Sequence, residues 1–276
     1  MRYKIILICL FIILFNITDA QKKSMVTVSF GLATPLGSFA QKDTNSVFTR
    51  GVRNGTILNS GSGSANTNDS GLIATNGKGL AKTGINLSID YQYLLKKRYG
   101  LIVRLRGQQN SVDANYVANL IKHDESQYST VEAMVKIEKW VSGSILAGLF
   151  YQVPLSVKTS RLEMQLKLMG GILKTRIPER SSWTYILNNT SPIVATNFNP
   201  SQSLNWAFSY STGIGLLYHL SNKITVNSNL DYSNSLLHIT YHPIIIVNNI
   251  AQVADPYTIH FGMSTLNLNI GAGIRF

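Results

Sequence analysis

Few residues in this chain have the types and spacing that chemistry needs. His219 and Ser221 stand two apart and Asp231 follows further on. A histidine, a hydroxyl and an acid are the parts of a nucleophilic hydrolase. The spacing places His219 at a tight turn, while Asp231 should face the interior of the strand assembly, so an ordinary turn is the expected outcome. His238, His242 and His260 could meet across one hairpin, and three imidazoles can hold a metal. No cysteine or paired acid accompanies them, so surface histidines are expected and no metal is assigned. The largest set is ionic: Arg104, Arg106, Arg161, Lys167 and Arg275 against Asp90, Glu163 and Asp231. The chemistry they suit is mutual neutralisation in a place shielded from water. The functional alternative is a narrow path selective for anions.

These charges share one property of position. Each occupies a polar slot in a segment whose alternate residues are apolar. The last segment, Met263 to Phe276, is the plainest: Leu266, Leu268, Ile270, Ala272, Ile274 and Phe276 interleave with Thr265, Asn267, Asn269, Gly271, Gly273 and Arg275. Period two is the signature of a strand with two different faces. Seven segments of the same kind precede it: Ser24–Thr34, Ala81–Leu95, one starting at Leu101, Ser144–Leu155, Arg161–Leu173, Leu204–Leu220 and one starting at Lys223. The phase of the last of these slips near Ser235 to Leu237, which implies a bulge or the exit from a bilayer.

The connections alternate long and short. Three are brief turns, around Lys96–Gly100, Ser156–Ser160 and Ser221–Asn222. Four are long, over residues 36–80, 110–141, 175–203 and 238–262, and within the second a short helix is expected over Thr130–Trp140. The first is too rich in Gly, Ser, Asn and Thr to order itself. Eight antiparallel strands with this alternation place every short turn on one side and every long loop on the other. That is the transmembrane β-barrel layout, closed because lipid cannot satisfy an open sheet edge. Trp206, Phe208 and Tyr232 near the loop ends, and Tyr93, Tyr218 and Phe276 near the turn ends, supply the two interfacial bands. A soluble eight-stranded barrel with its apolar face inward has the same periodicity but not these bands.

Composition agrees. The 276 residues are 45% hydrophobic but only 14% charged, against ~25% charged in ordinary soluble domains. No later stretch approaches the roughly 18 apolar residues of a membrane helix. Arg2 and Lys4, then Ile5–Phe15, then Ala20 read as a signal peptide over residues 1–20, with the barrel over 21–276. Its removal takes the net charge from +12 to +11 and removes the only cysteine, Cys9, so no disulfide is expected. The basic residues are scattered, which argues against nucleic acid and for phosphate-bearing lipid head groups.

The strand Leu266–Phe276 resembles the C-terminal assembly signal of bacterial outer-membrane barrels, in which the terminal aromatic is read by the barrel-insertion machinery. The stretches Gly213–Ile224 and Phe30–Gly37 resemble small barrels of the OmpA/OmpX kind found in Bacteroidetes-type bacteria. The resemblance implies the outer membrane of a Gram-negative cell and is almost silent on activity. His219-Leu-Ser221 has a loose likeness to the His-x-Ser of outer-membrane lipid A deacylases.

The expectation is therefore an all-β, eight-stranded antiparallel transmembrane barrel, non-enzymatic, without cofactor. Its role would be structural or one of surface interaction through long external loops. The alternatives are a small pore with a basic lumen and a lipid-modifying enzyme. Ile244, Ile245 and Ile246 form an apolar loop tip suited to an extracellular or host ligand. Lys42, Arg50, Arg53 and Lys78 suit lipopolysaccharide phosphates.

Overall fold

In the computed structural model the eight barrel strands are β1 (Ser24–Leu36), β2 (Gly84–Leu94), β3 (Tyr99–Asn110), β5 (Trp140–Pro154), β6 (Leu162–Arg176), β9 (Asn205–His219), β10 (Ile224–Tyr241) and β13 (Tyr257–Arg275). Five shorter strands lie in the long connections: β4 (Val131–Ile137), β7 (Arg180–Ile186), β8 (Val194–Phe198), β11 (Ile244–Val247) and β12 (Ile250–Val253). The structure describes residues 23–42, 48, 78–96, 98–125, 131–155, 161–186, 194–198, 205–241, 244–247, 250–253 and 257–276. The expected signal peptide, Arg50, Arg53, His242 and most of the first long connection lie outside them.

The barrel closes in the order β1-β13-β10-β9-β6-β5-β3-β2, and every pairing is antiparallel. The seam is β1 on β13, in register from Met25↔Arg275 to Leu36↔Ser264. Ser24 and Phe276 finish it by exchanging backbone hydrogen bonds, at 2.9 and 3.1 Å. With closure no barrel strand offers a free edge, the condition lipid imposes. Among the described residues no helix is long and apolar enough to cross a membrane.

The alternation of each strand fixes what faces where. Along β2 the polar residues Asn86, Ser88, Asp90 and Gln92 are buried, while Ile85, Leu87, Ile89, Tyr91 and Tyr93 are exposed. The same inversion runs round the ring: Phe30, Leu168, Phe208 and Ile270 stand 58–68% exposed, whereas Asn267 and Asp231 are wholly buried. A continuous apolar girdle of that kind on a water-soluble molecule would be an aggregation surface. On a closed barrel it is the lipid face, and the chain is an outer-membrane β-barrel. Tyr91, Tyr93, Tyr99, Tyr151 and Tyr218 stand toward the turn side of this girdle, and Trp206, Phe208, Tyr210 and Tyr232 toward the loop side.

The structure decides between two alternatives in one case and corrects an expectation in another. The first concerns β10 and β13, which pair without interruption from Ile224↔Ile274 to Tyr241↔Tyr257, so no bulge lies near Ser235. The apparent slip in phase arises because Leu237 faces inward and is completely buried there, in an apolar cluster above the polar lumen. At about 3.4 Å per residue the 18 residues of β10 run roughly 60 Å, about twice what a tilted strand needs to cross lipid. This hairpin therefore rises well clear of the bilayer.

The second concerns the second long connection. Residues 131–137 form strand β4, not a helix, and the helix lies earlier, at Ala114–Glu125. Asp113 caps it, its Oδ1 accepting the Tyr116 N–H at 3.3 Å. Val117 and Ile121, four apart, are buried on one face. β4 pairs with β7, and β7 with β8, in a three-stranded sheet outside the barrel. Ile244, Ile245 and Ile246 belong to β11, which pairs with β12 rather than running as an irregular tip; their side chains lie outside the description.

Candidate functional site

The barrel interior is built by residues whose side chains had to turn inward once their neighbours faced lipid. Asp90 on β2 and Arg104 on β3 are directly opposed in the register. Arg104 Nε and Nη2 donate to the two Asp90 oxygens at 2.6 and 2.7 Å, a fork on a carboxylate. Its remaining Nη1 donates to Asp231 Oδ2 at 2.8 Å. Asp231 sits on β10, four strands away in a ring of eight, so Arg104 ties opposite walls together. Lys167 on β6 donates to Asn229 Oδ1 at 2.6 Å and lies 3.7 Å from Asp90. All four ionic side chains are 0–1% exposed.

Further layers lie on either side of this one. Toward the turns, Gln92 and Gln165 exchange amide hydrogen bonds at 3.2 and 2.7 Å. Toward the loops, Arg106 Nη1 donates to Ser233 Oγ at 2.6 Å, and Ser233 Oγ lies 3.0 Å from Ser211 Oγ. Arg106 meets Asp231 only at 3.5 Å, and its Nε has no hydrogen-bond partner. Glycine makes the room: a Cβ on Gly213 would lie 2.1 Å from Asp231 Oδ1, so the carboxylate can sit where it does only opposite a residue without a side chain. An eight-stranded barrel is just wide enough for its side chains to fill it, and these fill it.

Not every charge expected in the lumen reaches this network. Arg161 is exposed at the turn before β6, where only its carbonyl is engaged, accepting the His219 N–H at 2.7 Å. Glu163 lies at the turn end, 3.2 Å from His219 Nε2 but without hydrogen-bond alignment. Arg275 lines a cavity of about 10 Å³ at that same end, with Lys23, Gln92, Phe150 and His219. Ser221 Oγ is taken up by its own turn, accepting the N–H groups of Lys223 and Ile224 at 3.2 and 3.0 Å. The His219 ring lies beside Glu163, and neither of its nitrogens is hydrogen-bonded. His238 and His260 are cross-strand partners in contact through their Nδ1 atoms, on an exposed part of the β10–β13 hairpin.

Above the polar layers an apolar cap closes the outer mouth. Trp140, the first residue of β5, stands at its centre, with Phe39 and Phe48 edge-on at 5.6 and 5.9 Å between ring centroids. Leu80, Ala81, Val112, Val117, Ile121, Leu173, Ile177, Leu237 and Met263 complete the cluster. Backbone and side-chain hydrogen bonds hold it: Trp140 Nε1 donates to the Gly79 carbonyl at 3.0 Å, and Ser38 Oγ to the Gly262 carbonyl at 2.9 Å. Leu80 takes a left-handed backbone (φ 48°), a strained choice for a leucine, while its side chain is buried and its carbonyl accepts the Asp113 N–H at 2.9 Å. Asp113 is also bound by Lys42 at 2.7 Å and Lys82 at 3.1 Å. Burial alone would raise its pKa, but the hydrogen bonds from Lys42, Lys82 and the Tyr116 backbone hold it below the usual carboxylate value. Lys42, expected to meet lipid phosphates, makes this contact while its side chain stays 57% exposed.

Sequence reasoning missed the cap. Its residues come from the first three long connections and from the outer parts of β6, β10 and β13, and nothing in a local pattern brings them together. It also missed Gln92, Gln165, Asn229 and Ser233, although each holds a polar slot of the same alternation that pointed to the ionic set.

No family model matches the chain, and no curated protein matches it. Solved structures with a similar trace include Ail, the attachment invasion locus protein of Yersinia pestis, at 12% identity over 92% of this chain and 99% of that one, TM-score 0.36. OprG from Pseudomonas aeruginosa is similar at 12% identity over 95% and 99%, TM-score 0.45. AlkL, an outer-membrane protein determined in lipid bilayers, is similar at 11% identity over 95% and 93%, TM-score 0.38. At these identities and scores no role passes from those proteins to this one, and the barrel assignment rests on its register and its lipid face.

Proposed function

We propose that this barrel is a non-enzymatic display protein: a filled post in the outer membrane that carries an ordered β-platform outside it. The observation that carries this reading is Arg104 bridging opposite walls of the barrel to Asp90 and Asp231 at 2.6–2.8 Å. A wholly buried cross-link at mid-barrel that joins opposite walls obstructs the lumen, and on this reading the working surface is the one outside the membrane. There the β10–β13 hairpin, the β4–β7–β8 sheet and the β11–β12 ladder form a structured surface, in keeping with recognition of a lipopolysaccharide or host-matrix ligand. His219 and Ser221 serve a turn at the other end, which supports a role without catalysis.

Two measurements test this. Single-channel recording of the folded protein in planar bilayers should give no steady conductance; a stable open level abolished by Arg104→Gln or Arg106→Gln would replace display by a pore. Detergent-folded protein should bind lipopolysaccharide or host matrix, and deletion of residues 243–250 should reduce that binding at least tenfold while leaving the barrel folded. Equal binding by the deleted form would remove the platform tip from the reading.

A further inference from the structure

The interior charges do not balance. Within the membrane-spanning part of the barrel the buried ionic side chains are Arg104, Arg106 and Lys167 against Asp90 and Asp231, an excess of one positive charge. An ion shielded from water needs a counter-charge or it destabilises the fold. The excess is not shared evenly. Arg104 holds both carboxylates at 2.6–2.8 Å, and Lys167 has Asn229 at 2.6 Å and Asp90 at 3.7 Å. Arg106 reaches Asp231 only at 3.5 Å, spends one donor on the neutral Ser233, and keeps a buried Nε–H with no partner.

Arg106 also lines a cavity of about 20 Å³ between the ionic layer and the apolar cap. The remaining wall is mostly hydroxyl and amide: Ser142, Ser144, Ser209, Ser233, Ser235, Thr265 and Gln108, closed on the outer side by Leu173 and Met263. None of its lining residues carries a negative charge, and all of these polar side chains are buried. Hydroxyl groups can turn their O–H inward to an acceptor. The volume admits one guest about the size of a water molecule; phosphate or sulfate would not fit.

We propose that this cavity binds a small monovalent anion of halide size, held by the Arg106 guanidinium and the surrounding serine hydroxyls, and that the ion completes the charge balance of the barrel. A water molecule would satisfy the Nε–H but leave the excess charge where it is. The inference does not rest on the display reading, since a balanced interior is needed whatever the platform binds.

Bromide and chloride are the probes. In crystals of the unaltered protein grown in bromide, an anomalous peak is expected within hydrogen-bond reach of Arg106 and the serines. The urea midpoint of the protein folded in lipid vesicles should rise with chloride at constant ionic strength, gluconate making up the difference. Above the dissociation constant each tenfold rise in chloride should multiply the folded-to-unfolded ratio by up to about tenfold. Arg106→Gln and Ser235→Asp should each abolish that dependence, the first by removing the excess charge and the second by supplying a fixed anion. Absence of a bromide peak together with a midpoint indifferent to chloride would overturn the proposal, as would full chloride dependence in Arg106→Gln. Should either variant fail to fold, the bromide peak in the unaltered protein decides.

Discussion

Asp231 is the residue on which the interior charges converge. It is completely buried and holds Arg104 from the far wall, with Arg106 beside it. Asp231→Asn keeps the shape and removes the charge, leaving three buried cations to one buried anion. Breaking such a pair from one side costs about 3–5 kcal/mol, and urea unfolding of the protein in lipid vesicles should report a loss of that order. Arg106→Gln, which restores neutrality, should cost less than half as much in the same assay. A smaller loss for Asp231→Asn than for Arg106→Gln would mean that the ionic layer is not organised around this carboxylate. At this scale the sequence was informative where a charge sat deep inside an alternating run, as at Asp90, Arg104, Lys167 and Asp231, and less so near the run ends, as at Glu163 and Arg275. It was misleading at Arg161, the first residue of its run, where a turn leaves the side chain in water.

The elements outside the membrane are held by contacts between distant parts of the chain, such as Ser38 with Gly262 and Trp140 with Gly79. The segment around Leu80 crosses the mouth and is pinned to the β3 end by the Ala81–Val112 bridge and by Asp113 with its two lysines. Because the folded-state pKa of Asp113 lies below its ordinary value near 3.9, its contribution to stability is present above that pH and is lost as pH falls through the lower folded value. Protection factors at residues 79–82, taken relative to the intrinsic exchange rate at each pH, should therefore fall on acidification below about pH 4 while those of the barrel strands stay high. Asp113→Asn should show the lower protection already at neutral pH; unchanged protection in that variant would show that the apolar cap alone holds the segment. The elements themselves were legible to different degrees. Barrel strands announce themselves because one face must be apolar along its whole length. In β4 the sequence satisfies two periods at once: Val131, Met134 and Val135 fit a helical face, yet Ala133, Val135 and Ile137 alternate with exposed Glu132, Met134 and Lys136. Pairing with the distant strand β7 settles it, and no local window contains that partner.

For the molecule as a whole, the governing fact is the direction of its apolar side. Leu268 is 51% exposed and Ile270 67% exposed, in the middle of β13, while their neighbours Asn267 and Asn269 are 0% and 1% exposed. On a water-soluble protein a charge placed at so open a position is nearly neutral, within about 0.5 kcal/mol. On a lipid face near the bilayer midplane an arginine costs about 2–4 kcal/mol, falling toward zero at the interfaces. Leu268→Arg should therefore destabilise the protein in vesicles by roughly 2–4 kcal/mol. The same substitution at Tyr93, at the turn end of β2, should cost about 1 kcal/mol or less from the membrane term alone. The gradient between the two positions is what separates lipid from water as the surrounding solvent. A flat profile, with Leu268→Arg no worse than Tyr93→Arg, would mean that the girdle does not lie in a bilayer, and the ionic filling of the barrel would then have to be explained as the core of a soluble molecule.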